Sequence, residues 1–258
     1  MRLHNKVTFI AGASGGIGSS LVQRFLQEGS KVILADRNPS ACQELLKKFG
    51  KDDQGIVIEM DVTNESQINS AFDASIKKFG KIDVVIYNAG INELKSIIDL
   101  SYAEWSKILK VNLDGGFLTS KKAMCEMKKT GGGSIIFMGS IRSKIGGEND
   151  APYVASKHAI LGLARVIATE GAKHNIRSNV ICPDYIRTPL VEKQIEQLAQ
   201  EHHMSKENVI KKVMLPSTVD GEFTTVEDIS EVAVFCAAFP SNALTGQSIL
   251  VTHGWEMG

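Results

Sequence analysis

The 258 residues are enough to bury a substantial core, either as one large α/β domain or as two small ones. Their 29 Lys and Arg offset 29 Asp and Glu, so there is no charge excess to draw nucleic acid or an acidic membrane. No apolar run approaches the roughly 18 residues of a membrane span, and Cys42, Cys125, Cys182 and Cys236 match neither metal nor redox spacing, which reads as buried thiols of a soluble, cytoplasmic protein without a metal.

The first strand, KVTFIAG, starts by Val7 and leaves no room for a signal peptide. A helix over 17–28 follows. The alternation repeats with KVILAD and a helix over 41–49, GIVIEMD and a helix over 65–79, and IDVVIYNAG with a helix from about 102. SIIFMGS then precedes the helix holding Tyr153, and IRSNVICP and QSILVT complete the strands. Near-continuous apolar strands separated by helices predict a parallel sheet covered on both faces. Capping-box spacing marks three helix starts: Ser101 with Glu104, Asn64 with Gln67, and Thr225 with Asp228. Gly131–Gly133 reads as a helix-to-strand turn rather than a linker, and residues 1–258 read as one domain. Two helical stretches over 188–215 interrupt the alternation before the last helix and strand.

AGASGGIG, Ala11 to Gly18, follows the first strand directly and opens a helix. Gly12 suits the tight turn, while Gly16 and Gly18 let backbone approach a pyrophosphate and pack the helix on the sheet. The helix N-terminus offers free N–H groups and partial positive charge to phosphate. Asp36 ends the second strand, 18 residues after Gly18, where a carboxylate can bind ribose hydroxyls and repel a 2′-phosphate. NAD is therefore expected over NADP, with the neighbouring Arg37 as the one feature that could tolerate the phosphate. Asp61 and Val62 after the third strand suit an adenine edge, and Asn88, Ala89 and Gly90 after the fourth let a loop lie close to the cofactor. All these lie at carboxyl ends of strands, where open α/β sheets bind ligands.

Tyr153 and Lys157 are four apart on one helical face. Ser140 lies thirteen residues earlier at the end of the fifth strand, so the three can converge on one alcohol or carbonyl oxygen. Asn112 is a mild misfit in the preceding helix, which suggests a side-chain role such as holding a water.

The combination of GASGGIG, NAG, Asn112, Ser140 and YVASK resembles the short-chain dehydrogenase/reductase family across nearly the whole chain. The resemblance implies a Rossmann-like, doubly wound sheet of about seven strands and a tetrad of Asn112, Ser140, Tyr153 and Lys157. Tyr153 would be the base in oxidation, its phenolate favoured by the Lys157 ammonium, and Lys157 would also hold the nicotinamide ribose. Ser140 would place the substrate oxygen, and Asn112 would support a water relay. Ser14, Ile17, Pro183, Ile186 and Thr188 join the cofactor set, with Thr188 at the nicotinamide carboxamide. Ala11 and Tyr87 stand where the family has threonine and asparagine, and both are expected to weaken local hydrogen bonding.

At the substrate end, TPLVEKQIEQLA and Trp255 resemble D-3-hydroxybutyrate dehydrogenases, in which the helices after the sixth strand form a lid. That likeness implies a substrate carboxylate held by Gln194, with Tyr185 and Trp255 nearby. A plain packing face of Leu190, Val191, Gln194 and Leu198 is the alternative. Asn92, Arg142 and Asp150 stand where the likeness would put glutamine, histidine and lysine. Asp150 brings a negative charge to a carboxylate site, which Arg142 could offset by a bidentate contact, or Asp150 could cap the catalytic helix. A 3-hydroxy acid leads, a sugar, sugar acid or polyol follows, and a non-catalytic NAD(H)-binding regulator is the reading of another class. The family resemblance also implies a homotetramer. Asp184 replaces a usual glycine after Pro183, so that loop is expected to be stiffer or shifted.

Overall fold

The structure, a computed structural model, describes residues 1–50, 53–187 and 189–257, and the side chains of these except at 189 and 190. Seven parallel strands form one sheet in the order β3-β2-β1-β4-β5-β6-β7. They are β1 Val7–Ala11, β2 Lys31–Asp36, β3 Gly55–Glu59, β4 Val84–Tyr87, β5 Gly133–Met138, β6 Ile176–Pro183 and β7 Ser248–Val251. The order reverses direction between β1 and β4, which opens a crevice at the carboxyl ends of those strands.

Each side of the sheet has its own core. On one, Phe9, Val85 and Phe137 meet α3 (Glu65–Phe79), α5 (Gly115–Thr130) and α6 (Ala151–Gly171) through Phe72, Met127 and Ile160. Phe9 and Phe72 stack with ring centroids 4.4 Å apart. On the other, Ile10, Leu34 and Ile136 pack on Leu21 and Phe25 of α1 (Gly16–Gln27), Cys42 of α2 (Pro39–Phe49) and Ile229 and Ala233 of α9 (Val226–Ala238). Each such fully buried large side chain contributes on the order of 2 kcal/mol of transfer free energy. Burial on both faces explains why β1 reads as a nearly continuous apolar run rather than an alternating one, and every residue of β6 is buried although Arg177, Ser178 and Asn179 are polar.

Both boxes at Ser101 and Thr225 close reciprocally, the first opening α4 (Tyr102–Leu109). At Asn64 only half the box forms: Asn64 accepts from the Gln67 amide, while the Gln67 side chain accepts from Asp61 N. Gly131 ends α5 in the left-handed region, and Gly132 follows at φ 122° against the Asn175 carbonyl, so the glycine run is a turn. The predicted insertion is α7 (Pro189–Glu201) and the short α8 (Lys206–Val209), whose Val191, Ile195 and Val209 form a small core with Met214 of the π turn that follows and Tyr185 against it. Among the described residues, no helix is long and apolar enough to cross a membrane.

Candidate active site

The crevice beside β1 and β4 is lined by Gly12, Ser14, Asp36, Arg37, Asp61, Val62 and the loop Asn88–Gly90. Gly12 is at φ 82°, and a Cβ there would sit 2.6 Å from the Ala89 amide nitrogen, so both turn and packing require glycine. Gly18 is equally confined, against the Gly12 carbonyl and Ala13. Gly15 is the N-cap of α1 and offers no side-chain cap, and Gly16 opens the helix without an acidic residue in the first turn. Gly15 lines the crevice, and the free amides of that N-terminus have no competing carboxylate in the first turn.

Asp36 is already organised by backbone. One oxygen accepts from Ser14 N (3.0 Å) and the other from Asn38 N (3.0 Å), which aims the carboxylate into the crevice beside the glycine loop. Asp61 lies beyond β3 and accepts from the amide and hydroxyl of Thr63, which hold it below its usual pKa. Asn88 donates to the Gly12 carbonyl at 2.7 Å, tying the two loops together. The glycine turn could cradle a pyrophosphate, and the Asp36 carboxylate could receive ribose hydroxyls.

Two of the expected cofactor residues have their side chains in the core. Ile17 and Ile186 pack their apolar side chains on the core beneath α1 and α9, which leaves only their backbone for a cofactor. Ile186 also bridges Thr224 through its backbone. Thr188 and the Leu190 side chain lie outside the described residues.

The chemical end gathers on α6 and the loop after β5. Ser140 lies past the end of β5, as the N-cap of a 3-10 turn Ile141–Ser143, with its hydroxyl accepting from Arg142 N (3.1 Å). The same hydroxyl hydrogen-bonds the Tyr153 phenol. Lys157 is buried, its Nζ donating to the Met138 carbonyl at 2.6 Å and standing 5.3 Å from the Tyr153 ring centre. Burial pushes Lys157 down to about 8. Burial also pushes Tyr153 up to about 12, opposed by the Ser140 bond, raised further by Asp150 and lowered by Arg142. The depressed phenol expected from Lys157 is therefore not a property of the protein alone. Desolvation favours the neutral forms of both groups in the free protein.

Asn112 also differs from expectation. It sits in a π-helical segment, Lys110–Asp114, wedged between α4 and α5. Its Oδ1 accepts from Ile91 N (2.8 Å), and its Nδ2 donates to Ile91 O (2.9 Å) and Ser156 Oγ (3.2 Å). The amide is a clamp on the loop after β4, with neither N–H left to hold a water. Tyr87 does not weaken the hydrogen bonding near it either: its hydroxyl donates to the Val111 carbonyl of the same segment. Ala11, lacking a side-chain group, is bridged instead by its carbonyl, which accepts from Asn88 N and Ala89 N.

A family model described as short chain dehydrogenase matches residues 6–199. The chain is 31% identical over 254 residues to an uncharacterised oxidoreductase, YxjF, of Bacillus subtilis, covering 98% of this chain and 99% of the relative. The chain is a short-chain dehydrogenase. It is also 32% identical over 253 residues to a D-beta-hydroxybutyrate dehydrogenase of Rhizobium meliloti, covering 97% of this chain and 98% of that one. Identity to a 3-oxoacyl-[acyl-carrier-protein] reductase of Thermotoga maritima is 32% over 258 residues, covering 98% and 99%. The dehydrogenase is accordingly an oxidoreductase of CH–OH donors that uses a nicotinamide cofactor.

Beside Ser140 and Tyr153, Arg142, Asp150 and Asn92 form one polar cluster. Arg142 Nε is 3.7 Å from Asp150 Oδ2, its NH1 donates to the Gly146 carbonyl, and its guanidinium lies 6.0 Å over the Trp255 ring. Trp255 in turn packs on Tyr185 at 5.7 Å. Asp150 does not cap α6, for no side-chain cap bond forms there. It is 5% exposed and is hydrogen-bonded by Asn92, and burial pushes it up to about 6 against the pull of Asn92 and Arg142. Asp150 Oδ1 and Asn92 Oδ1 are buried without a partner among the described residues. Gln194 lies half-buried on α7, between Val191 and Leu198 of the small core.

Asp184 keeps an ordinary negative φ, so the turn after Pro183 does not need glycine. The residue is half-buried, but both of its carboxyl oxygens are buried beside Thr224, and burial pushes the group up to about 6. Three supporting groups were not anticipated: the Met138 carbonyl under Lys157, Ser156 against Asn112, and Ser143, whose Oγ accepts from Ser140 N (3.2 Å). Only Ser156 was findable, as a small polar residue inside the Tyr153–Lys157 turn.

Proposed function

We propose that the dehydrogenase oxidises a small secondary alcohol with NAD and reduces the matching ketone in reverse. The convergence of the Ser140 hydroxyl, the Tyr153 phenol and the Lys157 ammonium supports this reading most strongly. Bound nicotinamide supplies the hydride acceptor at its C4. Ser140 fixes the substrate oxygen, Tyr153 takes its proton at Oη, and Lys157, held at the Met138 carbonyl, keeps positive charge beside that phenol. Asn112 positions the Ile91 loop rather than touching the reacting atoms. Asp36 favours NAD, since a 2′-phosphate would meet its carboxylate. Two exposed aromatic or apolar side chains, Phe117 on α5 and Val166 on α6, would be covered in a homotetramer, which sedimentation would reveal.

For substrate, a 3-hydroxy acid such as 3-hydroxybutyrate fits the likeness to the Rhizobium relative, the Tyr185–Trp255 wall and a guanidinium two residues from Ser140. A neutral sugar or polyol is favoured by a different observation: Asp150 already pairs with Arg142, so the cluster has no net charge for a carboxylate. The test is a panel of hydroxy acids, sugars and polyols with NAD and NADP, alongside Tyr153→Phe. NADH formation with 3-hydroxybutyrate, and its loss by a factor of at least about 100 in the variant with cofactor binding kept, is expected. Turnover of polyols alone would replace the substrate reading. Tight NADH binding without turnover of any member would point to a regulatory role.

A further inference from the structure

Tyr87 is the last residue of β4, paired on one side with Ala11 of β1 and on the other with Phe137 of β5, and only 3% exposed. A phenol in the middle of a parallel sheet needs a partner for its hydroxyl. It finds one in the Val111 carbonyl, 24 residues on, inside the π-helical segment Lys110–Asp114. The reason that carbonyl is open to it lies in the helix. In an uninterrupted α-helix Val111 would accept from Gly115 N. Here the Gly115 amide reaches back five residues to Lys110 instead. The π turn thus strips Val111 of its ordinary donor, and the phenol supplies another.

The surroundings are shaped for this contact. A Cβ on Gly115 would overlap the Tyr87 hydroxyl, and one on Gly116 would come within 3.4 Å of the ring. Glycines at the start of a helix normally weaken it, so their cost is offset here by admitting the phenol. One residue beyond Val111 is Asn112, whose amide clamps both backbone groups of Ile91 and the Ser156 hydroxyl.

We propose that Tyr87 is a positioning residue for the tetrad: by capping Val111, its hydroxyl locks the π register that aims Asn112 at Ile91 and Ser156. Reversion to α pitch would shift the register by one residue, roughly 100° around the helix axis, and carry Asn112 off its partners. The proposal rests on the reading that Asn112 serves the site, and it is independent of which alcohol is the substrate.

Tyr87→Phe removes one oxygen and keeps the ring against Phe137 (6.3 Å). With any alcohol that the wild type turns over, kcat is expected to fall about tenfold or more, with cofactor affinity within about twofold. Hydrogen exchange at the Ile91 amide, which donates to Asn112, is expected to accelerate. Adding Tyr87→Phe to Asn112→Ala should cost nothing further, because both act through one clamp. A loss that multiplies in the double variant, or a Tyr87→Phe enzyme with full kcat while Asn112→Ala is impaired, overturns the proposal. Full turnover in Asn112→Ala overturns the reading beneath it as well. Should Tyr87→Phe not fold, Gly115→Ala displaces the same hydroxyl from the helix side, and unchanged kcat and Ile91 protection there would refute the assignment.

Discussion

Replacing Asp150 by asparagine tests how the substrate end handles charge. The wild-type carboxylate stands 3.7 Å from the Arg142 Nε and is 5% exposed. At that distance the pair attracts by about 4 kcal/mol with an effective dielectric near 20, and by about 1 kcal/mol in water. A substrate carboxylate on the far side of the guanidinium, at roughly 6–7 Å from Asp150, would be repelled by about 0.6–2.5 kcal/mol over the same dielectric range. Asp150→Asn keeps the shape and removes that repulsion. The KM of an anionic 3-hydroxy acid at pH 8 is therefore expected to fall about 3- to 60-fold, with kcat little changed. The pH dependence carries a second check. Because burial pushes Asp150 up to about 6, wild-type KM should fall as pH drops from 8 to 5 and approach the variant's flat profile.

Stability should move in the matching sense. The folded pKa of Asp150 lies above its ordinary value of 3.8, so this group's contribution is full below about pH 4 and is lost as pH rises through about 6. The rise from 3.8 to about 6 already includes the Arg142 attraction and corresponds to about 3 kcal/mol, an upper bound on what Asp150→Asn can return at pH 8. The assays are initial-rate kinetics across pH and thermal unfolding at pH 4 and 8. An unchanged KM for hydroxy acids at pH 8, with a raised KM for a polyol, would refute the anion reading and install the neutral one.

Two further outcomes follow from single side chains. Asp36→Ala removes the acceptor of Ser14 N and Asn38 N and leaves exposed Arg37 as the nearest charge, so the NAD-to-NADP preference in kcat/KM should shift at least about tenfold toward NADP. An unmoved ratio would remove Asp36 as the discriminator. Arg177 is buried in β6 and donates to the carbonyls of Cys236, Ala237, Phe239 and Leu244, which closes the end of α9. Arg177→Met should cost about 3–5 kcal/mol, lowering Tm while leaving kcat of the folded enzyme intact. A Tm within a degree of wild type would show those carbonyls to be satisfied otherwise.

Local chemistry made much of this protein readable from the chain alone. Apolar runs such as VTFIA and VILA read as strands buried on both sides, and a parallel sheet follows from the helices between them. Gly12 and Gly18 announce close backbone approach because no other residue tolerates those positions, and Tyr153 with Lys157 share a helical face by spacing alone. Each of these properties depends on a residue and its near neighbours.

What the chain could not disclose depends on partners brought together from far along it. The Asn112 amide was legible as a misfit, but its clamp on Ile91 and Ser156 needed the π turn, and the π turn needed a phenol from another strand. Asp150 read as a bare negative charge until the fold set Arg142, Asn92 and Trp255 around it. Tyr153 read as an activated phenol until the tertiary packing desolvated it along with Lys157. Spacing along one element names which groups are present. Desolvation and long-range hydrogen bonds, which decide their charge and their aim, come into being only when the sheet closes over them.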